Sequence, residues 1–287
     1  YPEEIVGTGW SGSHFPLLAK FLDASNMLPV HLHADDETAA ALYAEPNGKS
    51  EAWHILWADP NATILAGIKD GASDDELIAA FKRQDYNAVM YEYPIAPGDT
   101  VYVPGGVLHS FGPNTLIFEI QQTSDLAQNV MPVDLLGNQY PEEQWDANIA
   151  QTLTELKRDY KPVPNPGLTI ERGKNRYRYC CAGPYFALER WSLHETHTEP
   201  AHPDRCLTVS CVGDPVTIRY TGGTFRLERA KSCVIPAALG EFTIEPAGVA
   251  DLIVCYVPDL AEDIIAPLKA AGYTNEQISA LGVVPID

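Results

Sequence analysis

Basic residues are scarce in this chain. Nineteen Lys and Arg stand against 39 Asp and Glu, a formal net charge of −20 over 287 residues. A surface so acidic repels nucleic acid and anionic membranes beyond the Debye length of about 8–10 Å, so neither is expected as a partner. A local group of lysines and arginines could still receive a small anion. Long apolar runs are missing as well. None approaches the roughly 20 residues of a bilayer span, and no basic-then-apolar leader opens the sequence, which therefore reads as soluble and cytoplasmic. Cysteine does not occur before Cys180, and the six present (Cys180, Cys181, Cys206, Cys211, Cys233, Cys255) show no C-x-x-C spacing. That excludes a zinc knot and implies reduced, mostly buried thiols.

Most of the chain consists of short β-branched and aromatic runs closed by Gly, Pro, Asn or Asp, as in "TVYVP" (100–104), "TLIFEIQQ" (115–122), "PVTIRY" (215–220) and "CVIPA" (233–237). Such a pattern predicts antiparallel sheet. Helical spacing is confined to islands at 73–84, 142–159, 259–272 and 274–282, and Ser73 with Glu76 forms a capping box at the first of them. The segment "YKPVPNPG" (160–167) carries three prolines, which neither continue a helix nor sit inside a sheet. It is read as a linker between domains 1–160 and 161–287, each long enough for a β-barrel or sandwich.

In "LPVHLHADDE" (28–37), strand alternation puts His31 and His33 on one face and Leu32 on the other. A third imidazole comes from "GDTVYVPGGVLHSFGPN" (98–114), where Gly98, Pro104, Gly106 and His109 shape a hairpin, a turn and an inward strand. Spacing leaves the fourth ligand open between Glu37 and Glu51. The run after Glu37 reads as a short helix leaving the site, with an acid favoured in its first turn, whereas "AWHIL" after Glu51 reads as a strand, which favours Glu51. Three histidines and a carboxylate suit zinc, iron, manganese or nickel. His14 and His54 are expected to be ordinary packed or hydrogen-bonded residues, and "HETHTEPAH" (194–202) a surface loop.

These paired motifs resemble those of the cupins, small antiparallel β-barrels that bind a divalent metal near one mouth. Together "HLHADDETAAALY", "GKSEAWHIL" (48–56), "LIFEIQQTSD" (116–125), "GPYFALERW" (183–191) and "CVIPAALGEFTIE" (233–245) resemble the type I mannose-6-phosphate isomerases, above all their short bacterial and archaeal form. The resemblance implies a mainly β chain with two cupin-type jelly-roll barrels and a few short helices. Residues 1–160 would bind the metal, and 161–287 would form a degenerate second barrel without a metal site. It also implies Zn2+ on His31, His33, Glu51 and His109, with Mn, Fe or Ni as other possible metals.

The activity implied is interconversion of mannose 6-phosphate and fructose 6-phosphate through an enediol, in a monomer or homodimer. Lys49 shares the face of Glu51 and is the first candidate at the sugar; Asp125 and Glu119 are second candidates for acid–base work. Two positions depart from the family pattern. His31 replaces a glutamine, and Asn129 stands where an arginine closes S-D-x-x-x-R. Asn129 is therefore a substrate-binding position without the usual charge, and the basic run Arg172, Lys174, Arg176, Arg178 offers Arg176 as a replacement, against the commoner reading as a solvated face. A neutral aldose is the alternative substrate, and a sugar-binding homologue without catalysis or a metal dioxygenase the alternative activities.

Overall fold

The structure, a computed structural model, describes residues 1–134 and 136–286. The alternating runs form four antiparallel sheets, and the chain divides into two compact units, Leu18–Pro166 and Tyr1–Leu17 with Gly167–Asp287. Among the described residues no helix is long and apolar enough to cross a membrane.

In the first unit one sheet runs in the order Leu17–Ala24, Thr115–Gln122, Glu51–Ala58, Thr100–Val103. The other runs Met90–Pro94, Thr63–Ile68, His109–Ser110, His31–Leu32, Gln128–Asn129. Their facing side chains make one core, with Trp53, Ile55, Val101 and Ile117 from the first sheet meeting Ile64 and Ala66 from the second. Because side chains alternate, Leu65 of the same strand points the other way, and there the helices cover it. Leu77 and Phe81 of helix Asp74–Lys82 and Ile149 of helix Glu142–Glu155 pack with Leu32, Leu65, Ile68 and Met90 into a second cluster. The capping box read from Ser73 and Glu76 is formed.

The second unit repeats the plan. A six-stranded sheet ordered Leu168–Arg172, Asn175–Ala182, Ala187–Leu193, Ala250–Tyr256, Leu207–Cys211, Ser232–Ile235 shares one core with a four-stranded sheet ordered His197–Glu199, Phe242–Pro246, Val216–Tyr220, Gly223–Leu227. No disulfide joins the cysteines among the described residues, and five of the six are buried.

The sheets are antiparallel ladders, and no closed barrel is detected among the described residues. Two expectations are corrected here. The single helix expected at 259–272 is a wide-turned segment, Leu260–Ile265, that passes directly into helix Ala266–Ala270; Pro267, which has no N–H to offer, sits in the first turn after the change. The expected surface loop at 194–202 contains the strand His197–Glu199, with His197 buried.

One turn links fold to site. The N–H of Gly106 donates to the His33 carbonyl at 2.6 Å, and a Cβ added at Gly105 would stand 2.7 Å from Asp35 Cα and 2.8 Å from the Ala34 carbonyl oxygen. Backbone meets backbone there, so only glycine fits. Gly105→Ala is expected to destabilise the protein by about 1–3 kcal/mol, the usual range for overpacking, and to displace His33. Urea unfolding and metal content measured on the same sample check both effects.

Candidate metal centre

His31 stands across from His109 in the second sheet, and Asn129 flanks His31 on its other side. His33 follows the same strand, and Glu51 begins the central strand of the facing sheet, paired with Val103 and Gln121. The four side chains meet at one end of the core. The candidate ligand atoms of His31, His33 and His109 all lie within 4.8 Å of one another. Glu51 Oε1 is 3.2 Å from His109 Nε2, and Oε2 is 3.4 Å from His33 Nε2.

Each imidazole is oriented through its other nitrogen. The Nδ1 atoms of His31, His33 and His109 hydrogen bond to the carbonyls of Pro29, Leu126 and Val107 at 2.7, 2.7 and 2.8 Å. A carbonyl only accepts, so the proton resides on Nδ1 and the Nε2 lone pair faces inward. The fourth group is held as well, since Trp53 Nε1 donates to Glu51 Oε1 at 2.9 Å.

Burial, reinforced by the neighbouring histidines, holds His31 well below the usual imidazole range, and burial also pushes His33 down to about 4 against the pull of Glu51. Both are neutral, as a ligand must be. Burial would raise the Glu51 carboxyl, yet the Lys49 ammonium beside it leads the charges that hold it well below the carboxylate range.

This geometry fits a cation. Inward lone pairs face a carboxylate at 3.2 and 3.4 Å, an array of acceptors that repel one another unless a positive charge lies among them. His109 Nε2 and Glu51 Oε2 are buried without a hydrogen-bond partner among the described residues, although Lys49 Nζ forms an ion pair with Glu51 Oε2 at 3.0 Å. Such orphaned atoms are what a metal satisfies.

A cavity of about 520 Å³ opens onto His31, His33 and Glu51. Lys49 reaches into it with Nζ 2.9 Å from His33 Nε2. Glu119 lines it too, nearly buried, with its pKa raised by burial and by the charge of Glu51. Asp125 is exposed at the rim. Asn129 lines the cavity but spends its amide on the local turn, donating to the Val133 carbonyl at 2.7 Å and accepting from the Met131 N–H at 2.8 Å. Arg176 lies in the second unit, with Nε 3.5 Å from Glu171. Glu37 is exposed in the short helix Asp36–Thr38, capped by the Asp35 side chain. His54 is a packed residue, bonded through Nδ1 to Thr100 Oγ1 at 2.8 Å.

Sequence reasoning missed Lys20. It lines the cavity, 2.9 Å from Glu119 Oε1 and 2.5 Å from Gln121 Oε1. The signal was present: in "LLAKFLDA" (17–24) Lys20 alternates with Leu18 and Leu22 on the less exposed face of its strand, where a lysine is out of place unless paired.

Comparison with known proteins points the same way. Residues 177–257 match the family model described as mannose-6-phosphate isomerase, cupin domain, a stretch that lies in the second unit. The Streptococcus mutans mannose-6-phosphate isomerase is 36% identical over 190 residues, covering 66% of this chain and 58% of that protein. The Bacillus subtilis mannose-6-phosphate isomerase ManA is 26% identical over 257 residues, covering 86% and 76%. The crystal structure of the mannose 6-phosphate isomerase from Bacillus subtilis superimposes with a TM-score of 0.75 at 27% identity, covering 86% of this chain and 77% of the other. By sequence and by fold, then, the chain is similar to the mannose-6-phosphate isomerases and to their cupin domain.

Proposed function

We propose that the protein is a metal-dependent aldose–ketose isomerase that interconverts mannose 6-phosphate and fructose 6-phosphate by moving a proton between C1 and C2 through an enediol. The observation that carries the reading is the set of inward Nε2 lone pairs opposite Glu51, beside Lys49 and Glu119 in one cavity. His31, His33, Glu51 and His109 would hold the metal, zinc in the first instance. A bound dication would supply positive charge for the sugar oxygens and for the developing enediolate, without a change of oxidation state.

The other residues do the rest. Lys49, fixed by Glu51 and His33, is placed to donate to a sugar oxygen. Glu119, whose burial brings it toward neutrality, suits the lifting and return of the proton, with Lys20 holding its carboxylate in place. Asp125 at the rim is read as a hydroxyl contact. In this reading each pair of sheets forms the walls of a cupin jelly roll, residues 161–287 are the half without a metal, and the protein works in the cytoplasm.

A second reading, a neutral aldose as substrate, is favoured by Asn129, whose amide is committed to its own turn. Purified protein of measured metal content, incubated with mannose 6-phosphate and with free aldoses, is expected to form ketose, and a chelator to stop it. Absence of ketose from every sugar would refute the proposal. Iron in place of zinc, with oxygen uptake, would point instead to the dioxygenase reading.

A further inference from the structure

The second unit contains a cavity of about 220 Å³ to which the proposed reaction gives no role. Its floor parallels that of the first. In each unit a Glu-x-Trp strand has its indole N–H on the glutamate, Trp53 on Glu51 at 2.9 Å and Trp191 on Glu189 at 2.7 Å. In each, a histidine ring meets the edge of that tryptophan, His109 at 5.3 Å and His197 at 4.8 Å between centroids. The metal ligands, however, are gone. Where His31 faces His109 across the ladder, His197 faces Ile244, and Glu199 faces Phe242.

A chain of hydrogen bonds takes their place. Tyr177 hydroxyl meets His197 Nδ1 at 2.7 Å, and His197 Nε2 and His202 Nε2 meet the two oxygens of Glu199 at 2.7 and 2.8 Å. Arg205 then donates to His202 Nδ1 at 3.0 Å and to Asp263 at 2.5 Å. This network, buried at Tyr177 and His197 and half-buried at Glu199, His202 and Arg205, lines a cavity that apolar side chains would fill at least as stably. One donor is still unused: Arg205 Nε is buried without an acceptor among the described residues.

Chemistry narrows the occupant. An anion would meet Glu189 and Glu199, while Asp263 already neutralises Arg205. A cation is disfavoured because Arg172 and Arg205 already lie over the rings of Tyr177 and Tyr256, 5.2 and 5.0 Å from their centroids. What remains is a neutral molecule that both donates and accepts hydrogen bonds and lies against aromatic walls. The volume equals that of about seven waters, the scale of a single sugar ring. We propose that this cavity is a second, non-catalytic binding site for a neutral monosaccharide.

The test uses metal-stripped Glu51→Gln protein, so that binding at the metal centre is suppressed. It is titrated calorimetrically with D-mannose, D-fructose and D-glucose, and with their 6-phosphates. At least one free hexose is expected to bind at one site per chain, with its 6-phosphate about tenfold weaker. Adding Glu199→Gln, or separately the exposed rim change Arg172→Ala, is expected to weaken binding by about tenfold, with circular dichroism confirming the fold. Failure of every free hexose to bind, equal binding of the phosphates, or binding that both pocket variants leave intact overturns the proposal. Turnover by the otherwise unaltered Glu199→Gln enzyme is expected to match that of the natural chain, so the isomerase reading stands or falls separately.

Discussion

His109→Ala is expected to yield a folded protein that no longer retains stoichiometric metal and has lost turnover. The imidazole is almost wholly buried, Val107 fixes its tautomer, and its Nε2 is 3.2 Å from Glu51 Oε1. Alanine removes one of three converging nitrogens and leaves His31 and His33 with a carboxylate on one side only. Loss of a partner that merely orients a ligand costs roughly 10–100-fold in metal affinity, so loss of a ligand should exceed that range. Elemental analysis after dialysis and a ketose assay measure the two effects. Full metal occupancy in the variant would remove His109 from the ligand set.

Trp53→Phe is expected to be nearly as damaging, without touching a ligand. Trp53 is fully buried between the sheets, and its indole N–H is the hydrogen-bond donor that holds Glu51 Oε1. Phenylalanine keeps most of the apolar contact with Phe111 and His109 but lacks the N–H, so Glu51 loses its orientation while remaining buried. A fall of roughly 10–100-fold in metal affinity is expected, with a parallel loss of activity at limiting metal. Excess metal should restore much of that activity, which a collapsed core would not allow. Competition with a chromogenic chelator gives the affinity directly.

Much of this centre could be read before the fold was seen. His31 and His33 show because a strand repeats every two residues, and "HLH" around the fully buried Leu32 leaves them one face to share. His109 shows because its turn needs glycine and proline at fixed offsets. Glu51 is preferred to Glu37 because the run after Glu37 reads as a helix start and because the resemblance draws the carboxylate from "GKSE"; in the fold Glu37 is exposed in the helix that Asp35 caps, and Glu51 lies beside His33 and His109.

Other parts were illegible for a physical reason: they depend on pairs distant in sequence. Lys20 gains its place only when Leu17–Ala24 pairs with Thr115–Gln122 and brings Glu119 and Gln121 beside it. The departure at Asn129 reads as a missing charge, whereas the fold gives its amide work in a local turn. The cavity of the second unit draws Tyr177, Glu189, His197, Arg205 and Tyr256 from separate segments, so no short motif announces it, and "HETHTEPAH" looks like loop because its apolar partners come from Phe242–Pro246.

At Nδ1 the three histidines are aimed by the peptide backbone, through the carbonyls of Pro29, Leu126 and Val107. Carbonyls survive every substitution at those positions and do not titrate. The orientation of the nitrogen donors is thereby insulated from most point mutations and from pH, and genetic drift can reach it only by altering the path of the chain. Glu51 lacks that protection, because its orientation hangs on two side chains, the Trp53 indole and the Lys49 ammonium. A single substitution beside the centre should therefore disturb the carboxylate more readily than the aim of the imidazoles.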